Sequence, residues 1–213
     1  MTRRAHLSRI AAAAKAVWPP CSHRLLLLTG QGSLRSSPLS PSQADFLSSL
    51  APLPIEPVLT GFPFDEAPIP NRPTSLVEAC VQNARQYLWA RNEPAYGRAV
   101  ASALQPILAS VSRCVILVTG SCGLQMLEVA WPHLRLAPKL RVEILALGPV
   151  GAPPHFGEAG FSAVQGTTDL WSRMLYRGSV AYKTNCGHMD YWSDAVARNA
   201  LRTLAERLLT GAT

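Results

Sequence analysis

The sequence lacks any apolar run approaching the length of a membrane span; the strongest, Leu25 to Leu28 with its neighbours, is strand-sized, so no span is expected. It also lacks any Cys-x-x-Cys pair. Its five cysteines (Cys21, Cys80, Cys114, Cys122 and Cys186) are odd in number and irregularly spaced, which excludes a disulfide framework and a zinc site. Small buried thiols in a reducing compartment are the expectation. No internal repeat is present, which excludes a solenoid. Acidic residues are missing from residues 1 to 44, where Arg3, Arg4, Arg9, Lys15, Arg24 and Arg35 stand unopposed. From residue 45 onward, 14 bases oppose 13 acids, so the net charge of +7 belongs almost wholly to the leading segment. A nucleic-acid footprint needs Lys and Arg gathered on the folded part, and none is visible there.

What is present fits one domain. A chain of 213 residues that is 48% hydrophobic can bury a full core. Residues 1–22 read as a basic, disordered extension, and residues 23–213 as a single α/β domain. The expected location is cytoplasmic. The alternative is organellar import through the N-terminus, whose arginines and Ala11 to Ala14 have the composition of a transit peptide.

Apolar runs that end in small residues recur along the chain. Strands are predicted at Arg24 to Leu28, Glu56 to Gly61, Cys114 to Val118, Arg141 to Leu147, Phe161 to Gln165 and Gly178 to Lys183. Helices are predicted at Ser42 to Leu50, from about Ser75 to Trp89 or Arg91, from Tyr96 to Val111, Leu124 to Leu134, Leu170 to Tyr176, and Tyr191 to Leu209. Pro63 to Pro73, with four prolines, reads as a loop. Strands alternating with helices imply a mostly parallel sheet covered on both faces, a three-layer sandwich.

Four of the strand ends carry chemistry. Thr29-Gly30-Gln31-Gly32 follows the leucine strand, and a Gly-rich turn there can turn backbone N–H groups toward an anion. Thr119-Gly120-Ser121-Cys122-Gly123 joins a strand to a helix at a tight corner with two candidate nucleophiles, Ser121 and Cys122. Asp169 follows Gly166 at a third strand end and His188 follows Gly187 at a fourth. In a parallel sheet the carboxyl ends of the strands lie along one edge, so these loops can meet. A hydroxyl or thiol needs a base, an imidazole can serve near neutral pH, and a carboxylate fixes the imidazole's tautomer. Singly, Asp169 reads as a helix cap and His188 as a loop residue; together, in chain order, they read as a triad.

The segment Arg24 to Leu209 resembles the α/β-hydrolase family, through Thr29-Gly-Gln-Gly32, Thr119-Gly-Ser-Cys-Gly123, Gln165-Gly-Thr-Thr-Asp169 and Cys186-Gly-His188, and looks most like its small, lidless serine hydrolases. The resemblance implies Ser121, His188 and Asp169 as catalytic residues and the backbone N–H groups of Gln31 and Cys122 as an oxyanion hole. It implies no cofactor and no metal. Two positions depart from the pattern: Thr29 replaces the histidine of the oxyanion loop, and Thr119 replaces the first glycine of the nucleophile turn. Shifting the register by one residue makes Cys122 the nucleophile and sets Leu124 at a crowded position.

The function expected is hydrolysis of an ester or thioester, with a small-molecule or carrier-linked acyl substrate. Phe62, Phe64 and Trp171 are candidates for an apolar acyl pocket, with packing in the core as the other reading. The alternative function is a catalytically inactive hydrolase-fold binding or accessory protein. Oligomeric state is not legible.

Overall fold

The structure, a computed structural model, describes residues 1–65 and 75–210. Its elements run α1 (Arg3–Ala13), β1 (Cys21–Thr29), α2 (Pro41–Ser48), β2 (Glu56–Pro57), α3 (Leu76–Asn92), α4 (Pro94–Ala109), β3 (Val111–Gly120), α5 (Gly123–Ala130), β4 (Arg141–Leu147), β5 (Gly160–Gly166), α6 (Leu170–Leu175), β6 (Tyr182–Thr184) and α7 (Ala195–Thr210). The expected proline-rich loop at 63–73 lies mostly outside the described residues. Among those described, no helix is long and apolar enough to cross a membrane.

The six strands form one sheet in the order β2-β1-β3-β4-β5-β6, and every neighbouring pair is parallel. The registers Thr29↔Gly120, Gly120↔Leu147 and Gly166↔Thr184 bring the strand ends close to one edge. The turns expected to carry chemistry therefore share that edge.

Side chains alternate across the sheet as strand geometry requires. Leu26, Leu28, Val115, Leu117, Ile144 and Ala146 face one core with Val100, Leu104 and Ile107 of α4 and Leu124 and Leu127 of α5. Leu25, Leu27, Ile116, Val118, Leu145 and Leu147 face the other with Phe46 and Leu47 of α2 and Leu201, Leu204 and Leu208 of α7. Near-continuous apolar runs are what a strand buried on both faces needs, and β1 and β3 have them. α4 and α7 bury residues at three- and four-residue spacing, such as Val100, Leu104 and Ile107 and Leu201, Leu204 and Leu208, so one stripe of each meets the sheet.

Several boundaries differ from expectation, among them the strand predicted from Glu56 to Gly61, which is only Glu56–Pro57, and the helix predicted to reach Leu134, which ends at Ala130. Residues 1–22 were expected to be a disordered extension, but Arg3–Ala13 are helical here, capped by Thr2 and packed on α4, and Cys21 already opens β1. The cause is visible in α1: His6 and Ile10, four residues apart, are fully buried, while Arg9 donates to Asp65 Oδ2 at 2.7 Å and to Leu34 O at 2.7 Å. His6 stacks among Phe62, Trp89 and Tyr96, and neither of its nitrogens has a hydrogen-bond partner. Burial, reinforced by Arg9, lowers its pKa to about 4, so it is neutral. The last strand is shorter than expected, Tyr182–Thr184. The final helix starts at Ala195 rather than Tyr191, because Asp194 Oδ1 accepts from Ala197 N at 2.8 Å as an N-cap.

Candidate active site

The turn after β3 has the conformation a nucleophile corner requires. Ser121 has φ +52°, a left-handed conformation that costs a residue with a Cβ on the order of 1–3 kcal/mol and is retained only where surroundings hold it. They do: Ser121 N donates to Leu147 O, and Ser121 O accepts from Val150 N, both at 3.2 Å. Gly123 opens α5, and a Cβ there would lie 2.0 Å from Leu28 O. Only glycine lets the helix start that close to β1. Thr119, at the expected glycine position, is buried with its hydroxyl unpartnered.

His188 links the other two groups. Its Nε2 is 2.9 Å from Ser121 Oγ, and its Nδ1 is 2.9 Å and 3.0 Å from the two oxygens of Asp169. Asp169 contacts His188 and caps a helix together, since Oδ1 also accepts from Ser172 N at 3.0 Å at the start of α6. Tyr191 completes its shell: the hydroxyl donates to Asp169 Oδ2 at 2.8 Å and accepts from Gly166 N at 2.7 Å. Burial pushes the Asp169 carboxyl up. The hydrogen bonds from His188, Ser172 N and Tyr191, with the His188 charge, outweigh it and hold the pKa below the ordinary value. Burial raises Tyr191, so its phenol stays protonated as a donor. The loop bearing His188 is held by Asp190, which accepts from Gly187 N at 3.0 Å, and by Thr184, which donates to Asp194 at 2.6 Å. An imidazole so oriented can take a proton from Ser121 and return it to a leaving group.

Cys122 is placed differently from its neighbour. Its side chain is buried and directed at Asn83 Oδ1, 3.5 Å away, and burial pushes the thiol up to about 12. The thiolate that nucleophilic attack needs is therefore suppressed. The Cys122 backbone N–H stands at the N-terminus of α5, where the first N–H groups lack intrahelical acceptors.

The turn after β1 departs from expectation. The Gln31 N–H, expected in the oxyanion hole, donates to Gln86 Oε1 at 3.1 Å, and Gln86 Nε2 donates back to Gln31 O at 2.9 Å and to Gln82 O at 3.0 Å. Gln86 is fully buried on α3, so this pair is shielded from water. The reason is the close approach of α3: a Cβ on Gly30 would lie 1.8 Å from Asn83 Oδ1. Sequence reading missed Gln86, Asn83 and Tyr191. No periodic signal marks a side chain that pairs across 55 residues, and Tyr191 was read as part of a helix it in fact precedes.

The expected apolar pocket does not assemble. Phe64 is buried in the core, edge-on to Phe62 with centroids 6.0 Å apart. Trp171 is 58% exposed on α6, whose inward side is taken by Ser172. Phe62 alone of the three borders a cleft, one of about 480 Å³, whose walls come mainly from residues 29–40. Thr29, in register with Gly120, and Met189, next to His188, set that cleft beside Ser121 and His188, which do not themselves line it. Among the described residues no three of His, Cys, Asp and Glu gather as a metal site.

A parallel sheet with a left-handed serine after β3, an acid after β5 and a histidine after β6 is an α/β-hydrolase-like arrangement. No protein-family model matches the sequence, and no curated protein matches it. Among solved structures, the chain is similar to a Xanthomonas campestris protein described as a member of the α/β serine hydrolases without a lid. The identity is 12%, over 92% of this chain and 84% of that one, with a TM-score of 0.42.

Proposed function

We propose that the protein hydrolyses an ester or thioester through an acyl-enzyme on Ser121. The observation that carries the reading is the line of contacts from Ser121 Oγ to His188 Nε2 at 2.9 Å and from His188 Nδ1 to Asp169 at 2.9 Å. Ser121 Oγ attacks the acyl carbon while its proton passes to His188 Nε2. The imidazolium is stabilised by Asp169 and gives that proton to the departing alcohol or thiol. Water, deprotonated by the same nitrogen, then attacks the acyl-enzyme and releases the acid. The Cys122 N–H is the proposed oxyanion donor; Gln31 N–H joins it only after release from Gln86. The buried thiol of Cys122 favours Ser121 as the nucleophile. The five cysteines are all free, which fits the proposed cytoplasmic location.

One observation favours a second reading, a hydrolase-fold protein that binds without turning over: the Gln31 N–H is already engaged. Labelling with a fluorophosphonate and turnover of p-nitrophenyl acetate separate the two. Wild type is expected to label and turn over, and Ser121→Ala to do neither, with a rate loss of at least about 10³-fold. Equal labelling of both proteins would overturn the first reading, and an unlabelled wild type would favour the second.

A further inference from the structure

The walls of the cleft beside Ser121 and His188 mix polar side chains with apolar ones, where an acyl pocket was expected to be apolar throughout. Gln31, Ser33, Ser36, Ser37, Ser40 and Gln43 all contribute to its walls, and none of the residues lining it carries a charge. Most of these groups are engaged. Ser33 Oγ accepts from Arg35 N; Ser40 and Gln43 form a capping box at α2; Gln31 Nε2 donates to Ser36 O at 2.7 Å. Two are not: Gln31 Oε1 and Ser37 Oγ are withdrawn from bulk water and have no hydrogen-bond partner. A buried polar atom without a partner is destabilising, and a ligand group that satisfies it relieves that cost. Gln31 Oε1 can only accept, so it calls for an O–H or N–H donor; Ser37 Oγ can donate or accept. A wall with one acceptor and one ambivalent hydroxyl suits neutral hydroxyl groups, and no cationic side chain lines it to hold a phosphate or carboxylate.

We propose that this cleft is a substrate subsite for a neutral, hydroxyl-bearing group, so that the ester or thioester cleaved carries hydroxyls on the part that enters it, in place of a long alkyl chain. The inference rests on the hydrolase reading for its reaction and on the cleft alone for its chemistry. Its volume, about 480 Å³, accommodates a small polyol or a single sugar unit. Gln31 Oε1 and Ser37 Oγ are covered in the free protein, so on this proposal their side chains turn toward the group as it enters. The Ser37 backbone carbonyl is bonded independently, accepting from Gly61 N at 2.7 Å, so replacing the hydroxyl leaves that anchor in place.

The test compares kcat/KM on matched esters. Glyceryl monobutyrate against butyl butyrate asks whether the alcohol part enters, and ethyl 3-hydroxybutyrate against ethyl butyrate asks whether the acyl part does. One hydroxylated ester is expected to be preferred. Ser37→Ala is expected to cut that preference about three- to tenfold, the effect of one hydrogen bond, while leaving p-nitrophenyl acetate turnover unchanged. Ser37→Cys, which replaces the hydroxyl by a weakly bonding thiol of similar size, repeats the measurement should Ser37→Ala fold poorly. Preferences equal in wild type and both variants, with p-nitrophenyl acetate still turned over, would overturn the subsite and leave the hydrolase reading standing. Where wild type turns over no ester, that reading falls instead, and an NMR titration with methyl glucoside decides the subsite. Shifts at residues 31–40 that vanish in Ser37→Ala retain it. Shifts elsewhere, or none, overturn it.

Discussion

The edge of the sheet where the loops meet has two unlike halves. On the β3, β5 and β6 side the polar groups around His188 are paired, the Thr119 hydroxyl being an exception: Asp169 alone is held by His188, Ser172 N and Tyr191, and the loops beneath are fixed by Asp190 and Asp194. On the β1 side, the turn and the serine-rich segment behind it hold Gln31 N–H against Gln86 and leave Gln31 Oε1 and Ser37 Oγ unmatched. One half has its hydrogen bonds in place before any ligand arrives. The other keeps bonding capacity in reserve. On the proposed function, a single sheet edge would separate reaction from selection: fixed donors belong where charge develops, and unmatched ones where a ligand must be distinguished.

The comparison breaks most severely at its paired half. Asp169→Asn keeps the size of the side chain but loses the charge that orients and stabilises His188, and turnover of p-nitrophenyl acetate is expected to fall about 10³- to 10⁴-fold. The same substitution reads out in stability. Because the folded state holds the Asp169 carboxyl below its ordinary value, its contribution is complete above the unfolded carboxylate pKa, roughly 3.9, and is lost as pH falls through the lower folded value. The thermal midpoint of wild type should therefore drop on acidification below about pH 4, and that of Asp169→Asn should drop less over the same interval.

A middle-sized effect is expected at the boundary between the halves. Gln86→Leu fills similar space but leaves Gln31 N–H and O without partners, a loss of about 1–3 kcal/mol in denaturant unfolding. Its kinetic readout tests whether the Gln31 N–H contributes to turnover: a fall in kcat with KM unchanged means the clamp holds the turn in working position, and a rise means that it withholds a donor. The smallest effect belongs to Cys122. Cys122→Ser should retain turnover within about tenfold, because the buried thiol takes no part, and native protein treated with a thiol reagent should be modified first at Cys80, the exposed cysteine.

Much of this architecture is legible in the residues because buried parallel strands announce themselves. Leu25 to Leu28 and Val115 to Val118 are continuous apolar runs, and each ends in a glycine-bearing turn. The positions of Ser121, Asp169 and His188 at strand ends followed from that pattern, and the parallel sheet brings the three together. What escaped depends on contacts with no periodic mark. The α1 helix rests on two side chains, His6 and Ile10, in a stretch whose composition is that of a tail. Gln86 sits in a helix whose amphipathic pattern is weak and pairs with a peptide 55 positions earlier. The apolar pocket failed because hydrophobicity identifies residues that leave water without saying where they go: Phe64 went inward and Trp171 stayed out.

Gly123 has a consequence beyond local packing. The start of α5 meets the Leu28 carbonyl backbone to backbone, with no side chain between them. Two side chains in contact give like springs, since rotamers adjust and a substitution can be absorbed; two main chains meet like a shaft against a shoulder. The spacing between the corner that carries Ser121 and the turn that begins at Thr29 is thus a machined dimension of the molecule. The walls of the cleft can be refitted residue by residue while that gauge stays the same.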